Sequence, residues 1–158
     1  MQPMTGIERI GNILRRQPVD RIGLYEHFWG DTEKVWTEEG HIRQGENLSD
    51  HFGFDLDLCW PLNVVADLDM QPVVIAEDEE TVTTRDGNGA VFRNHKLHAS
   101  TPEHIDFTVR DRAGWLELIK PHLTPDRTRI NFQAYREAKR HAAERNRFFC
   151  WSGEDVFE

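Results

Sequence analysis

The segment FDLDLCW, residues 54–60, carries the clearest β-strand pattern in the chain. Apolar and acidic residues alternate over its first half, it ends apolar, and Pro61 stops it, which is typical of a buried strand and not of a helix. A second strand-like run, RFFCW at residues 147–151, ends in the same Cys-Trp pair. We therefore predict that these two segments are neighbouring parallel strands.

The N-terminal part of the chain predicts a helix, a short strand and a second helix. Thr5 and Glu8 have the spacing of a capping box, and the amphipathic run that they open stops at Pro18. Residues 22–25 are a short apolar strand candidate, and Asp31 or Thr32 is placed to cap the next helix. This order favours a parallel α/β architecture, with residues 22–25 as a third parallel strand.

Residues 73–96 have a different period. The runs VVIAE, TVTTR and AVFRNHK are strand-like, and DGNG at residues 86–89 is a strong turn signal because Gly and Asn tolerate positive φ. We expect an antiparallel hairpin inserted between the parallel elements. DGNG lacks the distant bidentate Glu of a calcium loop, so it predicts a turn and not a cation site. Helices are predicted again after Asp111 and over residues 132–145.

The last residues carry a second capping-box pattern. Ser152 and Asp155 have the required spacing, and apolar residues follow them. The pattern predicts a helix that begins after Ser152 and is not completed within residues 1–158. We therefore expect residues 1–158 to form a single incomplete domain.

The composition favours a globular chain and excludes some partners. The chain has 28 acidic and 19 basic residues, which gives a net charge of -9. Such a surface repels phosphate, so neither nucleic acid nor an anionic membrane is an expected partner. No run reaches the ~20 apolar residues of a membrane helix, and the N-terminus lacks a signal-peptide core, so we expect a cytoplasmic protein. Two cysteines are too few for a disulfide scaffold and are expected to be reduced and buried.

Several motifs together resemble a known family. In order, they are ERIGNILRRQPVDRIGLYE, FWGDTEKVWTEEG, HFGFDLDL, RDGNGAVFR and VRDRAGWLELIKPHL. They resemble the N-terminal part of the uroporphyrinogen decarboxylase superfamily, most closely its uncharacterised and methyltransferase-like branches. The resemblance implies a (β/α)8 TIM barrel with its active site at the carboxyl ends of the strands. A full barrel takes ~250 residues, so this chain would supply a partial barrel of three strands, at 22–25, 54–60 and 147–151.

The resemblance implies methyl transfer more than decarboxylation. Decarboxylases of this family carry an arginine-rich first βα loop and an aspartate after the second strand, where this chain has YEHFWGD and CWPLN. The methyltransferase branch holds zinc on a His-x-Cys pair and a distant Cys in the later half of the barrel, and receives its methyl group from a corrinoid. We therefore expect no cofactor in this chain, zinc and a corrinoid partner in a full-length form, and no activity from the chain alone.

Candidate site residues follow from the same placement. Glu26 and His27 lie in the first βα loop and are the catalytic candidates, because His titrates near neutrality and a neighbouring acid tunes it. Trp29, Trp60 and Trp151 are candidates for a flat apolar substrate pocket. Asp57 is a substrate-binding candidate as well. The expected substrate is a small molecule, either a tetrapyrrole or a methyl donor.

Each of these residues also has a plainer interpretation. Glu26 and His27 also suit an ordinary loop, and aromatic residues at strand ends are often core. Asp55 and Asp57 share a strand face, where a partnered structural role competes with binding. No metal site is predicted, because His95 and His98 would project to opposite sides of a strand.

The alternative function is a non-catalytic α/β module for ligand binding or assembly. An exposed barrel edge would also favour self-association.

Overall fold

A computed structural model describes residues 2–152 of the chain. The backbone contacts divide the chain into two compact units. We call residues 2–28, 33–63 and 128–152 the parallel unit, and residues 29–32 and 64–127 the meander unit. The helix predicted from Ser152 and Asp155 lies outside the described residues. Within the described residues no helix is long and apolar enough to cross a membrane.

The elements in chain order are helices and strands with short irregular turns between them. They are α1 (Gly6–Leu14), α2 (Gly30–Glu38), α3 (Leu48–His51), β1 (Leu56–Cys59), β2 (Val73–Glu77), β3 (Thr81–Arg85), β4 (Ala90–His95), β5 (Glu103–Phe107), α4 (Arg112–Gly114), α5 (Phe132–Glu144) and β6 (Phe148–Trp151). A π-helical segment, Trp115–Ile119, and a 3-10 turn, Lys120–His122, continue α4. A further 3-10 turn, Arg127–Arg129, precedes α5.

The parallel unit is built on the pairing of β1 with β6. The two strands run parallel, from Leu56 opposite Phe148 to Cys59 opposite Trp151. The predicted pairing of residues 54–60 with 147–151 is therefore confirmed. Helices α1 and α5 pack on these strands. Cys59 is buried and Cys150 is half-buried, and both thiols are free.

Helix α1 begins where the capping box predicts. Thr5 Oγ1 accepts the N–H of Glu8 at 3.2 Å, and the Glu8 carboxylate accepts the N–H of Thr5 at 2.8 Å. A Cβ at Gly6 would collide with the carbonyl oxygen of Asp55, so glycine allows α1 to approach the start of β1 closely.

The predictions of a third parallel strand and of a partial barrel are wrong. Residues 22–25 are irregular, and the N–H of Asp55, the residue before β1, donates to the carbonyl of Leu24 at 2.9 Å. The N–H of Leu24 is taken by the Asp55 side chain at 2.8 Å, so it cannot continue a ladder. Residues 2–152 therefore hold a two-stranded parallel sheet and a four-stranded antiparallel sheet, with no barrel, complete or partial. Self-association stays a prediction, although the edge on which it rests is not a barrel edge.

The meander unit is a four-stranded antiparallel sheet in the order β2-β3-β4-β5. The expected hairpin over residues 73–96 is present as β2, β3 and β4, and β5 adds a strand that the sequence pattern did not predict. At the DGNG turn the N–H of Gly89 donates to the carbonyl of Asp86 at 3.0 Å, and Gly89 has a φ of 75°. Every residue of β2 and β5 is exposed, so hydrogen bonding and not burial defines these strands.

Candidate functional site

A cavity of about 530 Å³ lies within the parallel unit. We call it the aromatic cleft. It is bounded by loop 25–28, the first residues of α3, the end of β1 and the last turns of α5. Its aromatic lining is Tyr25, Phe28, Phe54 and Trp60. Its ionisable lining, apart from Tyr25, is Glu26, His27, Glu33, Glu46, Asp57, His141, Arg145 and Arg147.

Aromatic contacts fix the loop that forms one wall of the cleft. The ring of Phe28 lies 4.9 Å from that of Trp36 and 5.5 Å from that of Phe52, centroid to centroid. Tyr25 contacts Phe54 at 5.8 Å. Ring pairs at these separations stabilise their neighbourhood beyond simple burial. Loop 25–28 is thus held by packing although it belongs to no strand.

A buried ion network anchors the same loop from its N-terminal side. Asp55 is 2% exposed, and its carboxylate accepts hydrogen bonds from Arg9 and from Arg21, the latter at 2.6 Å. Arg9 also binds both carboxylate oxygens of Asp20 at 2.7 Å. Burial raises the pKa of Asp55, but the hydrogen bonds from Arg21 and the N–H of Leu24 outweigh it, and the pKa lies below its usual value. The structural interpretation of Asp55 is confirmed.

Both arginines of the cleft are engaged by carboxylates. Arg147 is 7% exposed and donates to Asp50 at 2.5 Å, to Asp57 at 3.3 Å and to the carbonyl of Phe54 at 3.1 Å. Arg145 lies 3.3 Å from the same Asp50 carboxylate. Asp57 therefore has an arginine partner, as its structural interpretation requires. It also lines the cavity.

The cleft brings together four of the six predicted site residues, namely Glu26, His27, Asp57 and Trp60. Glu26 and His27 both line it because the chain is irregular there, so the alternation of a strand does not separate them. The N–H of His27 donates to the Glu26 carboxylate at 2.8 Å. Trp29 and Trp151 do not line the cavity, and half or more of each side chain is exposed.

Tyr25, Phe54 and Arg147 belong to the cleft and were not among the predicted site residues. Burial, followed by the charges of Glu26 and Asp57, raises the pKa of Tyr25. Arg147 had a usable signal, since a cation directly before an apolar strand is poised to meet the acids of a neighbouring strand. No comparable signal marks Phe54.

The resemblance implies zinc ligands in the later half of a barrel and none in this chain. Among residues 2–152, no three His, Cys, Asp or Glu side chains gather as metal ligands. The rings of His95 and His98 stack at 4.4 Å, because β4 ends at His95 and the two side chains are not opposed across a strand. The expectation that these two histidines project apart is wrong.

Comparisons with known proteins give a distant similarity. No family model matches the chain, and no solved structure matches it. The chain is 27% identical over 124 residues to suppressor of presenilin protein 4 of Caenorhabditis elegans. The matched region covers 77% of this chain but 8% of that protein's length. This likeness does not assign a family, and the cleft has to be interpreted from its own residues.

Proposed function

We propose that the parallel unit binds a small methyl donor in the aromatic cleft, as part of an enzyme similar to the methyltransferase-like branches of the uroporphyrinogen decarboxylase superfamily. The observation that carries this proposal is the convergence of Glu26, His27 and Trp60 on one cavity of about 530 Å³. Ligand pockets for small molecules span about 300–1,000 Å³ and combine aromatic walls with a few polar groups. The cleft has such a volume and, among the described residues, four aromatic side chains, but its lining is more polar, with eight ionisable side chains besides Tyr25.

The charges of the cleft support a methyl donor over a porphyrinogen. A porphyrinogen carries many carboxylates and needs cations to hold them. Arg147 is already bound to Asp50 and Asp57, and Arg145 shares Asp50. Binding a substrate carboxylate would require these pairs to break.

The residues of the cleft have distinct proposed roles. Glu26 and His27 orient the ligand, because both are exposed on a loop that packing holds in place. Trp60 supplies a ring face, and Asp57 positions Arg147. Zinc and a corrinoid belong to a longer form in this proposal, and the described residues provide no site for the metal.

Binding can be tested by NMR of the indole N–H groups, since the chain has five tryptophans. The probes are dimethyl sulfide, methoxybenzene and tetramethylammonium as methyl donors, and uroporphyrin as the polycarboxylate. We expect at least one methyl donor to shift the Trp60 signal to saturation while uroporphyrin does not. Trp60→Phe assigns the signal, and Trp151→Phe is the control that leaves the titration unchanged. Saturation by uroporphyrin alone, or by no probe, would contradict the proposal.

A further inference from the structure

We propose that the ligand of the aromatic cleft is an organic cation of the alkylated ammonium class. This inference rests on the proposed function, since it specifies the ligand of the same cavity. Two features of the lining support it, the balance of charge and the aromatic side chains, and the surroundings of Tyr25 agree with them.

The lining has an excess of negative charge. Both guanidinium groups face carboxylates, and Asp57 is consumed in that pairing. Glu46 accepts hydrogen bonds from the N–H of Arg43 at 2.8 Å and pairs with His51 at 3.1 Å. Glu26 and Glu33 form no ion pair with any residue in the described range 2–152. These two carboxylates are left to attract a cation.

The aromatic lining suits a cation that cannot donate hydrogen bonds. Trp60 is 55% exposed, and Tyr25 and Phe28 are half-buried beside it in the lining. A quaternary ammonium group has no N–H, so it gains from ring faces and diffuse negative charge more than from single acceptors. A divalent metal would need clustered oxygen ligands instead. No such cluster of acids and histidines exists among residues 2–152.

The surroundings of Tyr25 keep its phenol neutral. Its pKa is raised by burial and then by the charges of Glu26 and Asp57. The charges of Glu26 and Asp57 also favour a positive ligand, whereas burial disfavours a charge of either sign. A neutral phenol adds no charge to the lining, and its ring is one of the aromatic walls.

The test compares choline with 3,3-dimethyl-1-butanol, which has the same shape and no charge. Each is titrated into the full chain, and the shift of the Trp60 indole N–H is followed. We expect choline to bind about tenfold more tightly than the neutral compound. Glu26→Gln and Glu33→Gln should each weaken choline binding several-fold and leave the neutral compound unaffected.

Glu38→Gln is the matched control. It removes the same charge from α2, but Glu38 does not line the cleft and pairs with Lys34 at 4.0 Å. We expect it to change choline binding little. The unliganded indole spectrum of each variant shows whether its fold is retained.

The outcomes separate the two proposals. The proposal of a cationic ligand would be overturned if choline and its neutral analogue bound equally well, or if Glu26→Gln weakened the binding of both equally. The cleft would then remain a ligand site. The same conclusion would follow if choline did not bind while dimethyl sulfide or methoxybenzene did. Failure of every probe would overturn the proposed function itself.

Discussion

The parallel unit and the meander unit keep their charged side chains in different surroundings. In the parallel unit Arg9, Asp55 and Arg147 are at most 7% exposed and join segments far apart in the chain. In the meander unit the ion pairs are exposed, as between Arg93 and Glu103 on adjacent strands at 3.2 Å. Long-range buried charges therefore specify the first unit, whereas local turns and ladder bonds specify the second.

The largest expected effect is that of Asp55→Ala. It leaves Arg9 buried without one of its two carboxylates and frees the N–H of Leu24. Breaking a buried ion pair costs about 3–5 kcal/mol, so we expect the parallel unit to lose most of its stability. Amide hydrogen exchange in β1 and β6 measures this loss. Glu103→Ala is the counterpart in the meander unit and should cost less than about 1 kcal/mol, because its pair is solvated.

Equal losses from Asp55→Ala and Glu103→Ala would remove the distinction between the two units. Asp55→Asn provides a finer comparison, since it keeps the shape of the side chain and one acceptor for Leu24. The stability of the parallel unit in Asp55→Asn should lie between its stability in the wild type and in Asp55→Ala.

A smaller effect is expected from acid. Arg9 and the N–H of Met4 lower the pKa of Asp20 well below its usual value, and the pKa of Asp55 is lowered as well. Groups with a depressed folded-state pKa stabilise the fold above their unfolded pKa, near 3.9, and this contribution is lost as pH falls towards the folded value. We therefore expect the urea concentration at the unfolding midpoint of the parallel unit to decrease as the pH is lowered below about 4.

Asp20→Asn should remove part of this pH dependence, because the amide does not titrate. The meander unit holds Asp78, whose pKa is lowered by the N–H and hydroxyl of Thr81. The amide-exchange protection of the meander unit should persist to lower pH than the protection of β1. A parallel unit whose urea midpoint does not change between pH 6 and about pH 3 would contradict the linkage.

A smaller effect than that of acid is expected from Asp86→Ala in the DGNG turn. The Asp86 carboxylate accepts the N–H groups of Asn88 at 3.0 Å and Ala90 at 2.9 Å. Losing these bonds should cost about 1 kcal/mol and raise exchange in β3 and β4 alone. Exchange that rises equally in β1 would show that the two units do not unfold separately.

Local signals in the sequence predict local structure well in this chain. The capping box at Thr5 and Glu8 and the turn at residues 86–89 are found where their patterns indicate. The pairing of β1 with β6 was also predictable, because both segments are apolar and end alike. Strand β5 was not, because all its residues are exposed and its sequence shows no buried face.

The third strand and the full cleft depend on contacts that a local pattern does not show. Residues 22–25 have the composition of a strand, but the Asp55 side chain occupies the N–H of Leu24. The same irregular backbone places Glu26 and His27 together on one cavity. Trp29 and Trp151 resemble Trp60 in sequence but lie outside the cleft, since their position depends on where the chain turns.

The bonds of Arg147 also bear on the order in which a nascent chain acquires its structure. Arg147 follows Asp57 by 90 positions and Asp50 by 97, and β6 is as distant from β1. Each pairing in the meander unit joins strands that are consecutive in the chain. A polypeptide leaves the ribosome from its N-terminus, and contacts of short sequence separation form first. The four meander strands can therefore pair once Phe107 has emerged. Strand β1 is translated earlier, but it can pair only after β6 has emerged.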